Sequence, residues 1–218
     1  MALLIILLLT LVTFVLLIGV PVFFMLRHEK KRTKQLSEIS SDLKLSFYPD
    51  GKDSIFESIS FGIFDYGNVS NMMHGEISNA EFAIFDHRYT SGSGKDSSTY
   101  KQTAIYFNPT NLNLPRFTLS PENLLHKIGS AFGYQDIDFP THPDFSKRFL
   151  LRGEDETKIR ALFTNKLLNF LESQQKITIE GGGNQLILYR DNKRIRPEEW
   201  QSFIDQGFQF FDEFVGSD

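Results

Sequence analysis

The first part of the chain is an uninterrupted apolar run. Residues 2–26 contain no charged side chain, and Thr10 and Thr13 are the only polar ones. As a helix rising about 1.5 Å per residue, the run is long enough to cross a hydrocarbon core of roughly 30 Å. A cleavable signal peptide is the alternative, but no Lys or Arg precedes the run and no small-x-small cleavage site follows it. Residues 1–26 are therefore predicted to be a retained membrane anchor, kinked in its last third by Pro21.

A basic segment follows the apolar run directly. Residues 27–34 carry five cations against the single Glu29, namely Arg27, Lys30, Lys31, Arg32 and Lys34. Positive charge is retained on the cytoplasmic side, so the N-terminus is predicted to lie outside and the soluble part in the cytoplasm. The five cations are also candidates for contact with anionic lipid head groups. A stop signal alone is the simpler interpretation, and an extracytoplasmic domain is the alternative topology.

Residues 27–44 continue as a predicted helix with an apolar stripe at Leu36, Ile39 and Leu43. The remainder, 45–218, has the pattern of one soluble α+β domain. Strand-like alternation is found in 45–48, 69–77, 81–90 and 98–107. A glycine and serine loop, residues 91–97, joins the last two as a hairpin, and the last three of these strands are predicted to form a meander.

Helix signals dominate the second half of the domain. Ser120-Pro121-Glu122 is predicted to cap a helix that ends at Gly133, and residues 145–152 a strand. One long helix is predicted from Gly153 to Leu171, followed by a hairpin of 176–180 and 185–190 over three glycines. The last helix is predicted to begin at Pro197 and to bury one stripe, with Phe210 off it: Trp200, Phe203, Ile204, Gly207, Phe208, Phe211 and Val215. These elements predict an antiparallel sheet with helices packed mainly on one face.

Composition narrows the function classes. The chain has no cysteine, which excludes disulfides, thiolate catalysis and cysteine-ligated metals. A net charge of −4 argues against a nucleic-acid binder. Most of the 22 phenylalanines fall on predicted buried faces, so a phenylalanine-rich core is favoured over an aromatic binding surface.

Several segments resemble a known family. FTLSPENLL (117–125), DIDF (136–139), FSKRFLLRGEDETKIRALF (145–163) and ITIEGGGNQLILYR (177–190) resemble an uncharacterised family of bacterial membrane-anchored proteins. The resemblance covers most of residues 30–215. It implies a membrane anchor followed by one domain, and it implies no catalytic residue.

Motifs for chemistry are few. Lys95 in the SGSGK loop lacks the spacing and the strand-to-helix context of a phosphate-binding loop, and no nucleophile elbow is present. The residues closest to a metal site are Asp136, Asp138, His142 and Asp144. A turn rich in Asp and His without metal is the simpler interpretation of them.

A second basic cluster precedes the last helix. It comprises Arg190, Lys193, Arg194 and Arg196, and it is a candidate contact for a lipid, a phosphate or an acidic surface, although a solvated turn is the simpler interpretation. The sequence thus predicts a single-pass membrane protein with a cytosolic binding or scaffolding domain. Its expected partners are the lipid bilayer and another membrane or cytosolic protein, with no nucleic acid and no cofactor. The alternative is a membrane-tethered enzyme, such as a metal-dependent hydrolase using residues 136–144.

Overall fold

A long N-terminal helix leads into the folded part of the protein. The computed structural model describes residues 1–52, 61, 64, 67–77, 80–110, 112–122 and 135–216. Helix α1 spans Ala2–Phe14, a π-helical turn follows at Val15–Gly19, and α2 spans Val20–Asp42. The π turn ends shortly before Pro21, and the Val20 N–H donates to the Val15 carbonyl. The kink expected at Pro21 stays a prediction. The helix is long and apolar enough to span a membrane, and none of its apolar window is buried in the protein.

Eight strands form one antiparallel sheet. They are β1 (Ser46–Tyr48), β2 (Asn68–Ile77), β3 (Ala80–Ser91), β4 (Ser98–Pro109), β5 (Leu114–Pro121), β6 (Phe149–Gly153), β7 (Thr178–Gly183) and β8 (Gln185–Tyr189). Their order across the sheet is β1-β2-β3-β4-β8-β7-β5-β6, and each neighbouring pair is antiparallel. The predicted meander is confirmed as β2-β3-β4, with the SGSGK loop as its second turn.

The described helices pack on one face of this sheet. After the long helix they are α3 (Pro143–Arg148), α4 (Glu156–Leu162), α5 (Asn165–Glu172) and α6 (Trp200–Val215). Their buried side chains meet one face of the sheet around Phe82, Ile105 and Phe117. The other face carries a smaller cluster that includes Phe85, Tyr106 and Tyr189, with Phe61 and Phe64 packed against it. The predicted α+β class, with helices mainly on one face, is confirmed.

The prediction for residues 120–133 is partly wrong. Ser120 and Pro121 end strand β5, where they pair with Leu150 and Phe149 of β6. Both are buried, so pairing in the sheet outweighs the local capping pattern. Residues 123–133 of the predicted helix lie outside the described residues. Phe145 is also misplaced, because it lies in α3 and not in a strand.

The predicted long helix from Gly153 is two helices. Asp155 caps α4 by accepting a hydrogen bond from the Lys158 N–H, as its position suggests. Helix α4 ends at Leu162 with Phe163 as its C-cap, and Thr164 caps the start of α5 by accepting from the Leu167 N–H. A threonine that can bond its own backbone competes with a continuous helix, which explains the break.

The buried stripe of α6 is broader than predicted. Phe210 is 1% exposed and packs edge-to-face on Phe170 of α5, so its exclusion from the core is wrong. Phe214 is also buried, whereas Phe208 and Phe211 are only partly buried and Val215 is 43% exposed. The helix contacts both the sheet and α5, which widens its apolar arc. Gly207 marks a close approach of the helix to the sheet, because an added Cβ would lie 2.7 Å from Ile105.

Candidate membrane-proximal site

A buried carboxylate on β3 connects the sheet to the long helix. Asp86 is 3% exposed and lies on the helix-covered face, because it is two residues on from Ile84. Arg32 of α2 donates to both of its oxygens, with Nε 2.8 Å from Oδ2 and Nη2 2.8 Å from Oδ1. Arg32 is itself 6% exposed, and its guanidinium lies 5.8 Å from the centre of the Trp200 ring. A planar bidentate pair of this kind fixes both position and orientation.

Three further side chains satisfy the Asp86 carboxylate. Thr103 of β4 donates to Oδ1 at 2.8 Å, Asn71 of β2 donates to Oδ2 at 3.0 Å, and Nη2 of Arg194 lies 3.0 Å from Oδ2. The Thr103 hydroxyl in turn accepts from the Ile195 N–H at 3.0 Å. Asp86 thus connects α2, three strands and the segment before α6, and a buried charge is tolerated only when it is satisfied in this way.

A second ion-pair group lies one helical turn nearer the apolar run. The Oε1 atom of Glu29 is 2.7 Å from Nη1 of Arg194 and 3.5 Å from Nζ of Lys101. The Arg194 guanidinium, with help from Lys101, lowers the pKa of Glu29 to about 2. Glu29 and Arg32 therefore both connect the long helix to the sheet, and Arg194 contacts both carboxylates.

Asn71 occupies a bulge in β2. The pairing of β2 with β3 shifts register between Ser70 and Met73, and Asn71 has a φ of 53°. This left-handed conformation is tolerated by asparagine better than by most residues. The Asn71 amide is thereby turned towards Asp86. Its Oδ1 atom is buried and accepts no hydrogen bond from any residue that the structure describes.

An open cleft of about 390 Å³ lies beside these contacts, between α2 and strands β2–β4, and is here called the membrane-proximal cleft. From α2 the cleft is lined by Met25, Glu29 and Thr33, which share one helical face. Met25 belongs to the apolar run 2–26, so the cleft begins at the level where that run ends. Its sheet wall and far end consist of Asn68, Ser70, Asn71, Asp86, His87, Arg88, Lys101 and Arg194.

The predicted basic residues separate into buried and exposed groups. In the juxtamembrane segment, Arg27, Lys30, Lys31 and Lys34 are exposed on α2, whereas Arg32 is buried against Asp86. Four of the five candidate lipid contacts are therefore exposed, whereas Arg32 is held inside the protein. The cluster before α6 is likewise dispersed. Arg190 donates to Gln206, Arg196 pairs with Glu198 and Glu199, Lys193 is exposed, and Arg194 lines the cleft.

The predicted metal cluster serves other contacts. Asp136 accepts from the Leu151 N–H at 3.0 Å, and the backbone carbonyl of Asp138 accepts from Arg160 at 2.7 Å. His142 hydrogen-bonds Thr141, and Asp144 lies in the first turn of α3. Within the described part of the chain, no three His, Asp or Glu side chains are grouped to hold a metal ion. Asp86 and His87 face opposite sides of the sheet, as the strand period predicts, since His87 packs on Phe64.

Sequence reasoning missed most of the cleft. Asp86, Asn71, Thr103 and Lys101 stand in strands with no motif around them, and their partners are distant in the chain. One signal was available for Arg32: it lies four residues before Leu36, on the same helical stripe as Ile39 and Leu43. A cation on the buried stripe of a helix indicates a buried anionic partner.

Comparisons with known proteins concern the fold. No protein-family model and no curated protein matches the sequence, so the resemblance to a bacterial membrane-anchored family stays a prediction. A similar solved structure is the crystal structure of the mycobacterial trehalose monomycolate transport factor A, TtfA. The TM-score is 0.60 at 11% sequence identity, covering 88% of this chain and 94% of that one. The two proteins share a fold.

Proposed function

We propose that this chain is a single-pass membrane-anchored protein whose α+β domain acts as a binding or scaffolding unit at the cytosolic membrane face. The apolar helix supports the anchor, and the exposed cations Arg27, Lys30, Lys31 and Lys34 support the orientation. Among the described residues no metal-holding group favours an enzyme.

The observation that carries the proposal is the way the helix meets the domain. The helix continues from the apolar run through α2, and the pair Arg32–Asp86 fixes it to the sheet. The domain is therefore held at one height and one orientation above the bilayer. A domain held in this way binds a partner in the same membrane more tightly, because it loses less rotational and translational entropy on binding.

The structural neighbour suggests the kind of partner. TtfA is described as a transport factor, and this chain shares its fold. We extend the proposal to a role beside a membrane transport protein, as an accessory subunit that carries out no chemistry of its own. The neighbour's cargo is not carried over, because 11% identity is evidence for fold alone.

The test is crosslinking in intact membranes. A flexible glycine/serine linker inserted between Leu26 and Arg27 leaves the Arg32–Asp86 pair intact but lets the domain move relative to the bilayer. We expect the unaltered chain to crosslink to a specific membrane transport protein and the linker variant to lose that capture. The same linker added after Asp218 is the control and should have no effect. Capture that is unchanged in both variants, or no captured membrane protein at all, contradicts the proposal.

Orientation is tested by reporters fused after Asp218. A fluorescent protein should be bright and alkaline phosphatase inactive if the domain is cytosolic. Neutral replacement of Lys30, Lys31 and Lys34 should weaken this preference, since these exposed cations retain the segment on the cytoplasmic side. Strong phosphatase activity from the unaltered chain would reverse the proposed topology.

A further inference from the structure

The sheet wall of the membrane-proximal cleft contains two adjacent cations. Arg88 of β3 and Lys101 of β4 are directly opposite each other in register, and Asn68 of β2 is opposite Arg88 on the other side. Residues paired across strands point to the same face, which here is the face that also carries Asp86. Like charges directly opposite each other are unfavourable unless an anion lies between them.

The ion pairs inside the cleft leave this cationic row only partly neutralised. The charge of Asp86 is neutralised by Arg32 of α2. Glu29 is shared between Arg194 at 2.7 Å and Lys101 at 3.5 Å. Arg88 is exposed and forms no ion pair with any described residue. An anion at Arg88 and Lys101 would meet one guanidinium and one ammonium group, both of which donate strong hydrogen bonds to phosphate oxygens.

The cleft lies at the depth of lipid head groups if the apolar run spans a bilayer. Its helical wall begins at Met25, inside the apolar run, and ends at Thr33, about 12 Å further along the helix. The polar layer on one side of a bilayer is roughly 5–8 Å thick, so the cleft begins within this layer and its end near Thr33 extends beyond it. The cleft is open, so acyl chains attached to a bound head group could remain in the bilayer beside Met25.

The remaining lining groups suit hydroxyls. Asn68, Ser70 and Asn71 provide amide and hydroxyl groups next to the cationic row, and the buried Asn71 Oδ1 lacks a donor among the described residues. A buried acceptor without a hydrogen-bond donor is unfavourable. A ligand that carries both a phosphate and hydroxyl donors therefore matches the wall better than phosphate alone. The cleft volume of about 390 Å³ is within the usual range for small ligands.

We propose that the membrane-proximal cleft binds the head group of an anionic phospholipid that bears hydroxyls, such as phosphatidylglycerol. The phosphate lies between Arg88 and Lys101, and the hydroxyls face Asn68, Ser70 and Asn71. This inference rests on the membrane anchoring in the proposed function but not on a scaffolding role. It makes the Arg32–Asp86 and Glu29–Arg194 contacts positioning elements that hold the cleft open at head-group depth.

The test uses the full chain purified in a mild detergent. Trp200 is the only tryptophan and lies against Arg32, so its fluorescence reports on the packing beside the Arg32–Asp86 pair, and thermal unfolding gives a second readout. We expect phosphatidylglycerol to raise the unfolding temperature and phosphatidylcholine to have little effect, since a ligand that binds the folded state stabilises it. The double variant Arg88→Ala/Lys101→Ala should bind phosphatidylglycerol about tenfold more weakly or worse. Both side chains are at least partly exposed, so the variant should fold as well as the unaltered chain.

The matched control is Lys30→Ala/Lys31→Ala, which removes the same charge from exposed sites on α2 outside the cleft. Equal losses in both double variants would show diffuse attraction and overturn the site. Glycerol phosphate binding as tightly as the lipid would identify a soluble ligand instead, and an equal response to phosphatidylcholine would exclude recognition of the anion. A chain that stays in membranes and captures its partner, but does not respond to phosphatidylglycerol, disproves this inference alone. Recovery of the chain in the soluble fraction disproves the anchoring.

Discussion

Arg32 and Asp86 lie 54 positions apart in the chain, yet two nitrogens of Arg32 are each 2.8 Å from a carboxylate oxygen of Asp86. One residue belongs to the helix that continues from the apolar run, and the other to a central strand of the sheet. The pair therefore fixes the direction in which the long helix leaves the domain. A flexible tether after the apolar run would contain no such contact.

Removing the carboxylate should be costly. Asp86→Ala leaves the buried Arg32 and the half-buried Arg194 without their shared anion, which typically costs about 3–5 kcal/mol. Denaturant unfolding of the full chain in detergent measures the loss. Lys34→Ala is the control on the same helix, because Lys34 is 80% exposed and its partner Glu38 is 3.8 Å away. That change should stay within about 0.5 kcal/mol. Similar losses in both variants would show that the buried pair does not fix the helix.

The phenylalanines of α6 test the corrected core. Phe210→Ala should cost about 3–5 kcal/mol, because the ring is 1% exposed and packs 5.0 Å from the Phe170 ring, centre to centre. Val215→Ala should cost much less, since Val215 is 43% exposed on the same helix. Thermal unfolding of the two variants measures both losses of stability. Equal small losses in the two variants would indicate that Phe210 is exposed, as the sequence pattern predicts.

The sequence predicted those elements whose signals are local. Strands β3 and β4 are predictable because β-branched and aromatic residues alternate along them, and the turn that joins them is rich in glycine and serine. The end of β5 was missed for the opposite reason. Ser120-Pro121-Glu122 is a good helix cap locally, but the pairing of Ser120 and Pro121 with β6 decides the outcome. The capping pattern contains no information about that distant strand.

The candidate site was predictable only in part. The basic residues were identified from composition, but their roles depend on partners that the sequence does not indicate. Arg32 and Arg194 converge on Asp86 from positions 54 and more than 100 residues away. The cleft arises from the register of three strands and the direction of one helix. Such a juxtaposition follows from tertiary packing, so no local pattern reveals it.

The same contacts determine where the domain can be cut from its helix. The sequence alone suggests a soluble chain that begins near Lys34, because the basic segment ends there. In the structure, that cut removes Glu29 and Arg32, so Asp86 loses its ion pair with Arg32 and Arg194 loses its ion pair with Glu29. A chain that begins at Arg27 should unfold cooperatively, and one that begins at Lys34 should be about 3 kcal/mol less stable or aggregate. Urea unfolding and gel filtration compare the two, and equal stabilities would contradict the prediction.

A buried glutamate in β7 should make the free energy of unfolding depend on pH. Glu180 of β7 is 7% exposed and accepts a hydrogen bond from the Tyr189 hydroxyl at 2.8 Å. Burial raises the pKa of Glu180 from 4.5 to about 7, so the folded state holds a proton that the unfolded state has lost between these values. Stability should therefore fall as pH rises from 4.5 to 7. At about 1.4 kcal/mol per pH unit, the loss is roughly 3 kcal/mol.

The variant Glu180→Gln isolates this effect, because glutamine stays neutral and can still accept from Tyr189. It should match the unaltered chain near pH 4.5 and be more stable above pH 7, as measured by urea unfolding across this range. Glu29 acts in a separate window, since its pKa of about 2 means that its stabilisation is lost only as pH falls below 4.5. Glu38→Gln is the exposed control and should leave the pH profile unchanged. A profile equally steep in Glu180→Gln would assign the pH dependence to other groups.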